Sequence, residues 1–219
     1  MIAGPAFRKS DRYETLYPGV AFGLALVTGA SNPENPEGFD LHKRQLLRRM
    51  RKRDNLDGIT ARIDAYDAFF SRFGFPCPLP KHLKRTINSG FYRYNLMVDA
   101  HFMAEMCAGI LVAVTDYDRF DGGLILDAAL DGEPWRAMGN RDLTVKDGEI
   151  VLRDQKDIVC VLCQGADEKT RVSADTSNVL FYAYAVPGID SEYLEAGLHI
   201  AAESVANFGG GEIASIAVY

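Results

Sequence analysis

Long apolar runs are missing from this 219-residue sequence. A membrane-spanning helix needs roughly 20 consecutive apolar residues, whereas the best run here extends only from Gly19 to Thr28. The basic stretch before that run is interrupted by Asp11, Glu14 and Pro18, which argues against a signal peptide. We therefore expect no membrane association, a cytoplasmic location, and a buried strand within residues 19–28.

Cysteine is also scarce, with four residues and a single C-x-x-C motif. That motif, Cys160 to Cys163, lies in an apolar stretch typical of a strand. Strand side chains three positions apart point to opposite faces, so the two thiols would chelate a metal poorly. We expect buried free thiols in a reducing compartment, and neither a metal nor a cofactor.

The common catalytic and nucleotide-binding signatures are absent. The sequence contains no G-x-S-x-G, no G-x-x-x-x-G-K-[ST], no H-E-x-x-H, and no G-x-G-x-x-G between a strand and a helix. The commonest hydrolase, nucleotide-binding and zinc-protease classes are therefore excluded.

Positive charge is concentrated in the first part of the chain, although the net charge is −6. Residues 1–93 hold 16 Lys and Arg against 9 Asp and Glu, whereas residues 94–219 hold 8 against 21. Such an asymmetry suggests an anionic partner for the basic part.

One predicted helix, residues 39–53, carries seven cations within eleven residues around a thin apolar strip. Cations placed in this way can follow a phosphate backbone by displacing its condensed counterions. A solvated helix face that contributes only solubility is the other interpretation, and the residue types do not separate the two. The candidate RNA-binding residues are Lys43, Arg44, Arg48, Arg49, Arg51, Lys52, Arg53 and, on the next basic segment, Arg85.

The hydrophobic period changes from helical to strand-like near residue 110. Helices are predicted over 39–53, 59–73, 81–87, 96–108 and 191–208, with a break at 54–58. Strands are predicted over 110–115, 123–128, 134–138, 149–153, 158–163 and 178–186, with Asp-Gly turns between several of them. This order indicates an α+β protein in which helices pack on a mostly antiparallel sheet.

His101 and Glu105 are four residues apart on the nearly all-apolar helix 96–108, and Asp99 lies two residues before His101. Such a group could act as an acid–base pair or bind a metal. A buried histidine that only satisfies a carboxylate is the more common arrangement.

Several segments occur in an order and spacing that match a known family over about residues 60–186. They are Ala65-Tyr-Asp-Ala-Phe-Phe-Ser-Arg-Phe-Gly74, Leu83-Lys-Arg85, Asn95-Leu-Met-Val-Asp99, Thr115-Asp-Tyr-Asp118, Gly132-Glu-Pro134, Gly139, Asp147-Gly-Glu-Ile-Val151 and Thr176-Ser-Asn-Val-Leu180. Together they resemble the B3/B4 domain of the phenylalanyl-tRNA synthetase beta subunit, and most closely the free-standing bacterial proteins made of that domain.

The resemblance implies a single B3/B4-like α+β domain over residues 1–219. In the synthetase this domain is an editing module that hydrolyses tyrosine wrongly attached to the phenylalanine tRNA. A trans-acting deacylase, with tRNA and an aminoacyl group as its partners, is therefore the implied function. The alternatives are a non-catalytic binder of RNA or of a small amino-acid-like ligand, and a basic helix that docks an acidic protein.

The resemblance also implies a set of pocket residues. His101 and Glu168 are the candidates for orienting a water molecule. The candidates for holding the substrate are Asn95, Asp99, Thr115 and Asp116. The synthetases carry Thr and Asn where this chain has His101 and Phe102, and a pocket His where it has Thr115. These differences imply that either the amino-acid specificity has changed or hydrolysis has been lost.

Overall fold

Most residues of the protein lie in helices or strands in the computed structural model, which describes residues 4–219. Residues 1–3 of the predicted domain lie outside the described residues. The helices are α1 (Asp11–Leu16), α2 (Phe39–Met50), α3 (Arg53–Arg72), α4 (Leu79–Ser89), α5 (Leu96–Ala108) and α6 (Ser191–Gly209). The strands are β1 (Phe7–Lys9), β2 (Phe22–Thr28), β3 (Leu111–Asp116), β4 (Leu124–Ala128), β5 (Pro134–Ala137), β6 (Arg141–Thr144), β7 (Ile150–Arg153), β8 (Ile158–Val161), β9 (Gly165–Ala166), β10 (Val179–Tyr184) and β11 (Glu212–Val218).

The strands form a five-stranded sheet, β1-β4-β7-β8-β9, a four-stranded sheet, β11-β2-β10-β3, and the hairpin β5-β6. Among the strand pairs of the described chain, only β1 with β4 is parallel. The predicted α+β class with mostly antiparallel sheets is therefore confirmed.

The apolar run in residues 19–28 forms β2, an inner strand of the four-stranded sheet. Every residue from Phe22 to Val27 is buried, because β10 and β11 pair with the strand on either side and α6 packs against it. Within residues 4–219, no helix has the length and apolar character needed to cross a bilayer.

Helix α5 lies at the centre of the helical layer and has the boundaries that the sequence predicts. The Asn95 side chain caps its first turn by accepting a hydrogen bond from the amide of Val98 (3.0 Å). Gly109 ends the helix with a φ of 67°, a left-handed conformation that favours glycine. The chain then turns directly into β3, so α5 and β3 form two adjoining walls of one cavity.

The predicted break at residues 54–58 is wrong, because α3 already begins at Arg53 and includes those residues. The chain turns before the predicted break, at Lys52, which has extended backbone angles. Asp54 then lies in the first turn of α3, where a negative charge is favourable. Five short or peripheral elements were not predicted from the sequence: α1, β1, β6, β9 and β11.

A buried ion pair joins α2 to α5. The Lys43 ammonium contacts the Asp99 carboxylate, and the two residues are 6% and 0% exposed. Lys43 also donates to the carbonyl of Tyr92 (3.1 Å), and the amide of Tyr94 donates to Asp99 (2.8 Å). The pair therefore fixes the segment between α4 and α5 to both helices.

Burial raises the pKa of Asp99, whereas its hydrogen bonds from Lys43 and from the Tyr94 amide favour the charged form. Lys43 was predicted to lie on the RNA-binding surface with its neighbours. The structure corrects this prediction, because its charge is buried against Asp99 and is not presented to solvent.

Replacing Lys43 with Met should lower the free energy of unfolding by about 3–5 kcal/mol, because the Asp99 charge would lose its partner in a buried site. Urea denaturation measures the change. Arg44→Met is the matched control, since Arg44 is exposed, and it should change stability by less than about 0.5 kcal/mol.

The double variant Lys43→Met with Asp99→Asn should recover most of the loss, because it removes both charges and keeps an acceptor for the Tyr94 amide. Equal destabilisation by Lys43→Met and Arg44→Met would contradict a structural role for the pair.

Candidate functional site

A cavity of about 630 Å³ lies between α4 and α5 on one side and β3, β8 and β9 on the other. Its lining is predominantly apolar and includes Phe70, Val98, Phe102, Leu111, Val114, Leu162 and Val172. Its polar lining groups are His82, His101, Glu105, Gln164 and Arg171. A concave apolar site with a few convergent polar groups is the usual form of a small-molecule pocket.

Three of these polar groups converge on one point of the cavity wall. Glu105 is 3% exposed, and its Oε2 lies 3.7 Å from His82 Nδ1 and 3.8 Å from His101 Nε2. The other carboxylate oxygen, Oε1, accepts a hydrogen bond from the amide of Val112 (3.3 Å). Within the described chain, Glu105 Oε2 and His82 Nδ1 have no hydrogen-bond partner.

A backbone carbonyl determines the tautomer of His101, and therefore which ring nitrogen can accept a proton. His101 Nδ1 lies 3.1 Å from the carbonyl of Val98, which can only accept, so Nδ1 carries the proton. The lone pair of Nε2 then faces the cavity. Burial lowers the pKa of His101 from its usual 6.5, and the nearby Glu105 opposes this shift only in part. The ring is therefore neutral at neutral pH and can accept a proton.

The spacing of the cluster suits one small bridging molecule. Contacts of 3.7 and 3.8 Å are too long for direct hydrogen bonds and match a separation that a water molecule can bridge. No set of three or more His, Cys, Asp and Glu side chains within residues 4–219 is arranged to hold a metal ion. At these separations, one water molecule can contact both Glu105 Oε2 and His101 Nε2.

Two helices bring the cluster together. His101 and Glu105 are four residues apart on α5, which places them on one face of that helix. His82 lies in the first turns of α4, which has Pro80 near its start and packs on α5. The sequence predicts His101 and its pairing with Glu105 but not the role of His82, because a single histidine on an amphipathic helix carries no spacing signal.

The predicted substrate-binding residues lie outside the cavity lining. The Asn95 side chain caps α5, and the Thr115 hydroxyl donates to the carbonyl of Leu180 (3.3 Å). Asp116 accepts hydrogen bonds from Thr176 Oγ1 (2.8 Å) and from the amide of Asp118 (3.1 Å). Asp99 is paired with Lys43. In this structure, all four side chains make contacts that support local structure.

Glu168 lies beside the cavity and does not line it. It accepts a hydrogen bond from the amide of Gly139 (2.7 Å) and forms an ion pair with Arg171 (3.1 Å). Arg171 is exposed and lines the cavity, so Glu168 orients a cation at the outer edge of the pocket. The structure therefore separates Glu168 from the His101 cluster.

Both cysteines of the C-x-x-C motif border the cavity, contrary to the expectation that they face opposite sides. The reason is that β8 ends at Val161, so Cys163 follows a turn and is no longer in register with Cys160. All four cysteines are free thiols. Burial raises the pKa of Cys160 to about 11 and raises that of Cys163 further.

Six of the eight predicted RNA-binding residues are exposed cations, and their binding of RNA stays a prediction. They lie on α2 and at the start of α3: Arg44, Arg48, Arg49, Arg51, Lys52 and Arg53. We call these six exposed cations the basic surface. Arg85 is half-buried, with its guanidinium 3.9 Å from the centre of the Tyr92 ring.

Comparison with known proteins is consistent with this architecture. The family model described as the B3/4 domain matches residues 77–210. No curated protein matches the sequence.

A similar fold is found in an N-terminal fragment of the phenylalanyl-tRNA synthetase beta subunit from Pyrococcus horikoshii. The TM-score is 0.56 at 14% identity, and the match covers 95% of this chain and 50% of that one. The chain thus spans about half the length of the fragment, and at this identity the likeness concerns the fold. Together with the family match, it confirms the predicted resemblance: the chain belongs to the B3/4 domain family.

Proposed function

We propose that the protein binds tRNA and hydrolyses the ester bond of a mischarged aminoacyl-tRNA in trans. The observation that carries the proposal is the pair of facing acceptors, His101 Nε2 and Glu105 Oε2, in the wall of an apolar cavity. Family membership supports a role linked to aminoacyl-tRNA, since the similar structure is part of a tRNA synthetase. We further propose that residues 1–219 act as one domain in the cytoplasm.

His101 would act as the general base. A water held between its Nε2 and Glu105 Oε2 attacks the acyl carbonyl, and its proton passes to Nε2. The bond between the carbonyl carbon and the ribose oxygen then breaks, and the protonated ring returns that proton to the ribose oxygen. The products are a free amino acid and an uncharged tRNA.

Arg171 would stabilise the negative charge that develops on the carbonyl oxygen. It is the cation of the cavity lining, and Glu168 holds its guanidinium at 3.1 Å. Glu168 is accordingly a positioning residue in this proposal and not the group that activates water. The apolar lining favours an aminoacyl side chain that is itself largely apolar.

The basic surface would bind the tRNA backbone. Its six cations are exposed on one short stretch of α2 and α3, and among the described residues only Arg53 has a carboxylate nearby, with Asp57 at 3.9 Å. Many other basic side chains, such as Arg153 and Lys169, form closer ion pairs. Cations without carboxylate partners can neutralise phosphates without first losing an ion pair.

Wild-type protein should hydrolyse at least one member of a panel of mischarged tRNAs. His101→Ala and Glu105→Gln should each lower kcat about 10²- to 10⁴-fold, because they remove the base and the group that orients the water. The wild-type rate should fall only in acid, at a pH below the ordinary histidine pKa, because burial lowers the pKa of His101 and protonation of its ring removes the base. Single-turnover deacylation of labelled tRNA measures both effects.

His199→Ala is the matched control, since His199 is exposed on α6 and pairs with Glu203; it should leave the rate unchanged. Hydrolysis no faster than the uncatalysed rate for every tRNA would remove the enzymatic proposal. In that case tRNA binding without turnover would support the non-catalytic binder.

Binding of tRNA should weaken steeply with salt, and the double variant Arg48→Glu with Arg49→Glu should flatten that dependence. Removing two phosphate contacts lowers the slope of log affinity against log salt by about 1.4–1.8. Filter binding between about 50 and 200 mM salt gives the slope.

Arg8→Glu with Arg136→Glu changes the net charge equally at exposed sites outside the basic surface. This control should keep the wild-type slope. If the two double variants lose the same affinity, binding reflects net charge and the basic surface has no special role.

A further inference from the structure

Three aromatic side chains in mutual contact connect the cavity to the protein surface. The Phe102 ring lines the cavity and lies 4.2 Å from the His101 ring. Tyr92 packs on Phe102 at 4.4 Å, and Tyr94 stacks on Tyr92 at 5.7 Å with an interplanar angle of 18°. We call Phe102, Tyr92 and Tyr94 the aromatic shelf. It forms a continuous path from the candidate catalytic cluster to solvent.

The outer member of the shelf is unusually exposed. Tyr94 is 55% accessible, although it is a large ring with neighbours on which it could be buried. Two arginines adjoin the shelf: the Arg85 guanidinium lies over Tyr92, and Arg93, between the two tyrosines in sequence, is exposed and pairs with Asp40. An exposed ring flanked by arginines is the arrangement with which proteins stack the bases of single-stranded nucleic acids.

The shelf is also held in place before any ligand binds. The carbonyl of Tyr92 accepts a hydrogen bond from Lys43, and the amide of Tyr94 donates to Asp99. Both partners are buried, so the backbone on either side of Arg93 is fixed by the ion pair that joins α2 to α5. A preorganised ring loses little conformational freedom when a base stacks on it.

A cleft of about 330 Å³ lies between the basic helix α2 and the segment that carries the two tyrosines. Its lining includes Arg44, Arg51 and Arg93, and Arg93 is also part of the segment that carries the tyrosines. Asp40 also lines the cleft and pairs with Arg93 at 2.9 Å, whereas Arg44 and Arg51 form no ion pair among the described residues, and Arg51 donates to the carbonyl of Ile87. This arrangement suits a phosphate group next to a stacked base.

We propose that the aromatic shelf binds the terminal nucleobase of a single-stranded RNA 3′ end. The base stacks on Tyr94, the neighbouring phosphate lies in the cleft with Arg44 and Arg51, and the acyl group attached to the terminal ribose enters the cavity past Phe102. The inference rests on the proposed function and adds to it the site that aligns the ester with His101 and Glu105.

The test uses a short single-stranded RNA that ends in CCA, in which 2-aminopurine replaces the terminal adenine. The whole chain is titrated into this RNA and the fluorescence is recorded. Stacking on Tyr94 quenches the fluorescence of 2-aminopurine. Tyr94→Ala should abolish the quenching and weaken binding about 5- to 150-fold, the range expected for the loss of one base–aromatic stack. Tyr94→Phe keeps the ring and should behave like wild type.

An RNA with an abasic 3′-terminal nucleotide should bind the wild-type protein as weakly as the intact RNA binds the Tyr94→Ala variant. The Tyr94→Ala variant and the wild-type protein should bind this abasic RNA equally well. Absence of quenching with wild type, or equal quenching with Tyr94→Ala, overturns the proposal. If the protein binds the RNA as described but hydrolyses no aminoacyl-tRNA, the proposal for the aromatic shelf stands and only the proposed enzymatic function is wrong.

Discussion

The buried pair of Lys43 and Asp99 is the interaction on which the arrangement of this site depends. Two opposite charges removed from water are tolerated only when each is fully paired, and here both also bond to the backbone of the segment between α4 and α5. That segment separates His82 on α4 from His101 on α5. One ion pair thus links the basic helix, the segment that carries Tyr92 and Tyr94, and the histidine cluster.

The cavity combines an apolar wall with a small group of polar atoms whose burial destabilises the folded state. A buried carboxylate oxygen without a partner destabilises the folded state by roughly 1–3 kcal/mol or more, and Glu105 Oε2 is such an atom within the described chain. Glu105 Oε1 has a structural role as the acceptor of the Val112 amide, but that role does not account for Oε2. A water or substrate group bound between Glu105 and the two histidines would give Oε2 a partner.

Local signals explain what the sequence could predict. The N-cap at Asn95 and the left-handed Gly109 define α5 to the residue, and helical spacing alone puts His101 beside Glu105. Contacts between distant segments explain what it could not. His82 joins the cluster only because α4 packs on α5, and Lys43 has the same chemistry as its exposed neighbours but points at a buried carboxylate. Strands β1 and β11 depend on long-range pairing, with β4 and β2 respectively.

The two cysteines in the cavity wall bear on any reactive ester held there. A thiol attacks an acyl group only as the thiolate, and burial keeps the pKa of Cys160 at about 11 and that of Cys163 higher still. At neutral pH both therefore stay protonated and weakly nucleophilic. In the proposed reaction, neither thiol would therefore compete with water by capturing the acyl group as a thioester.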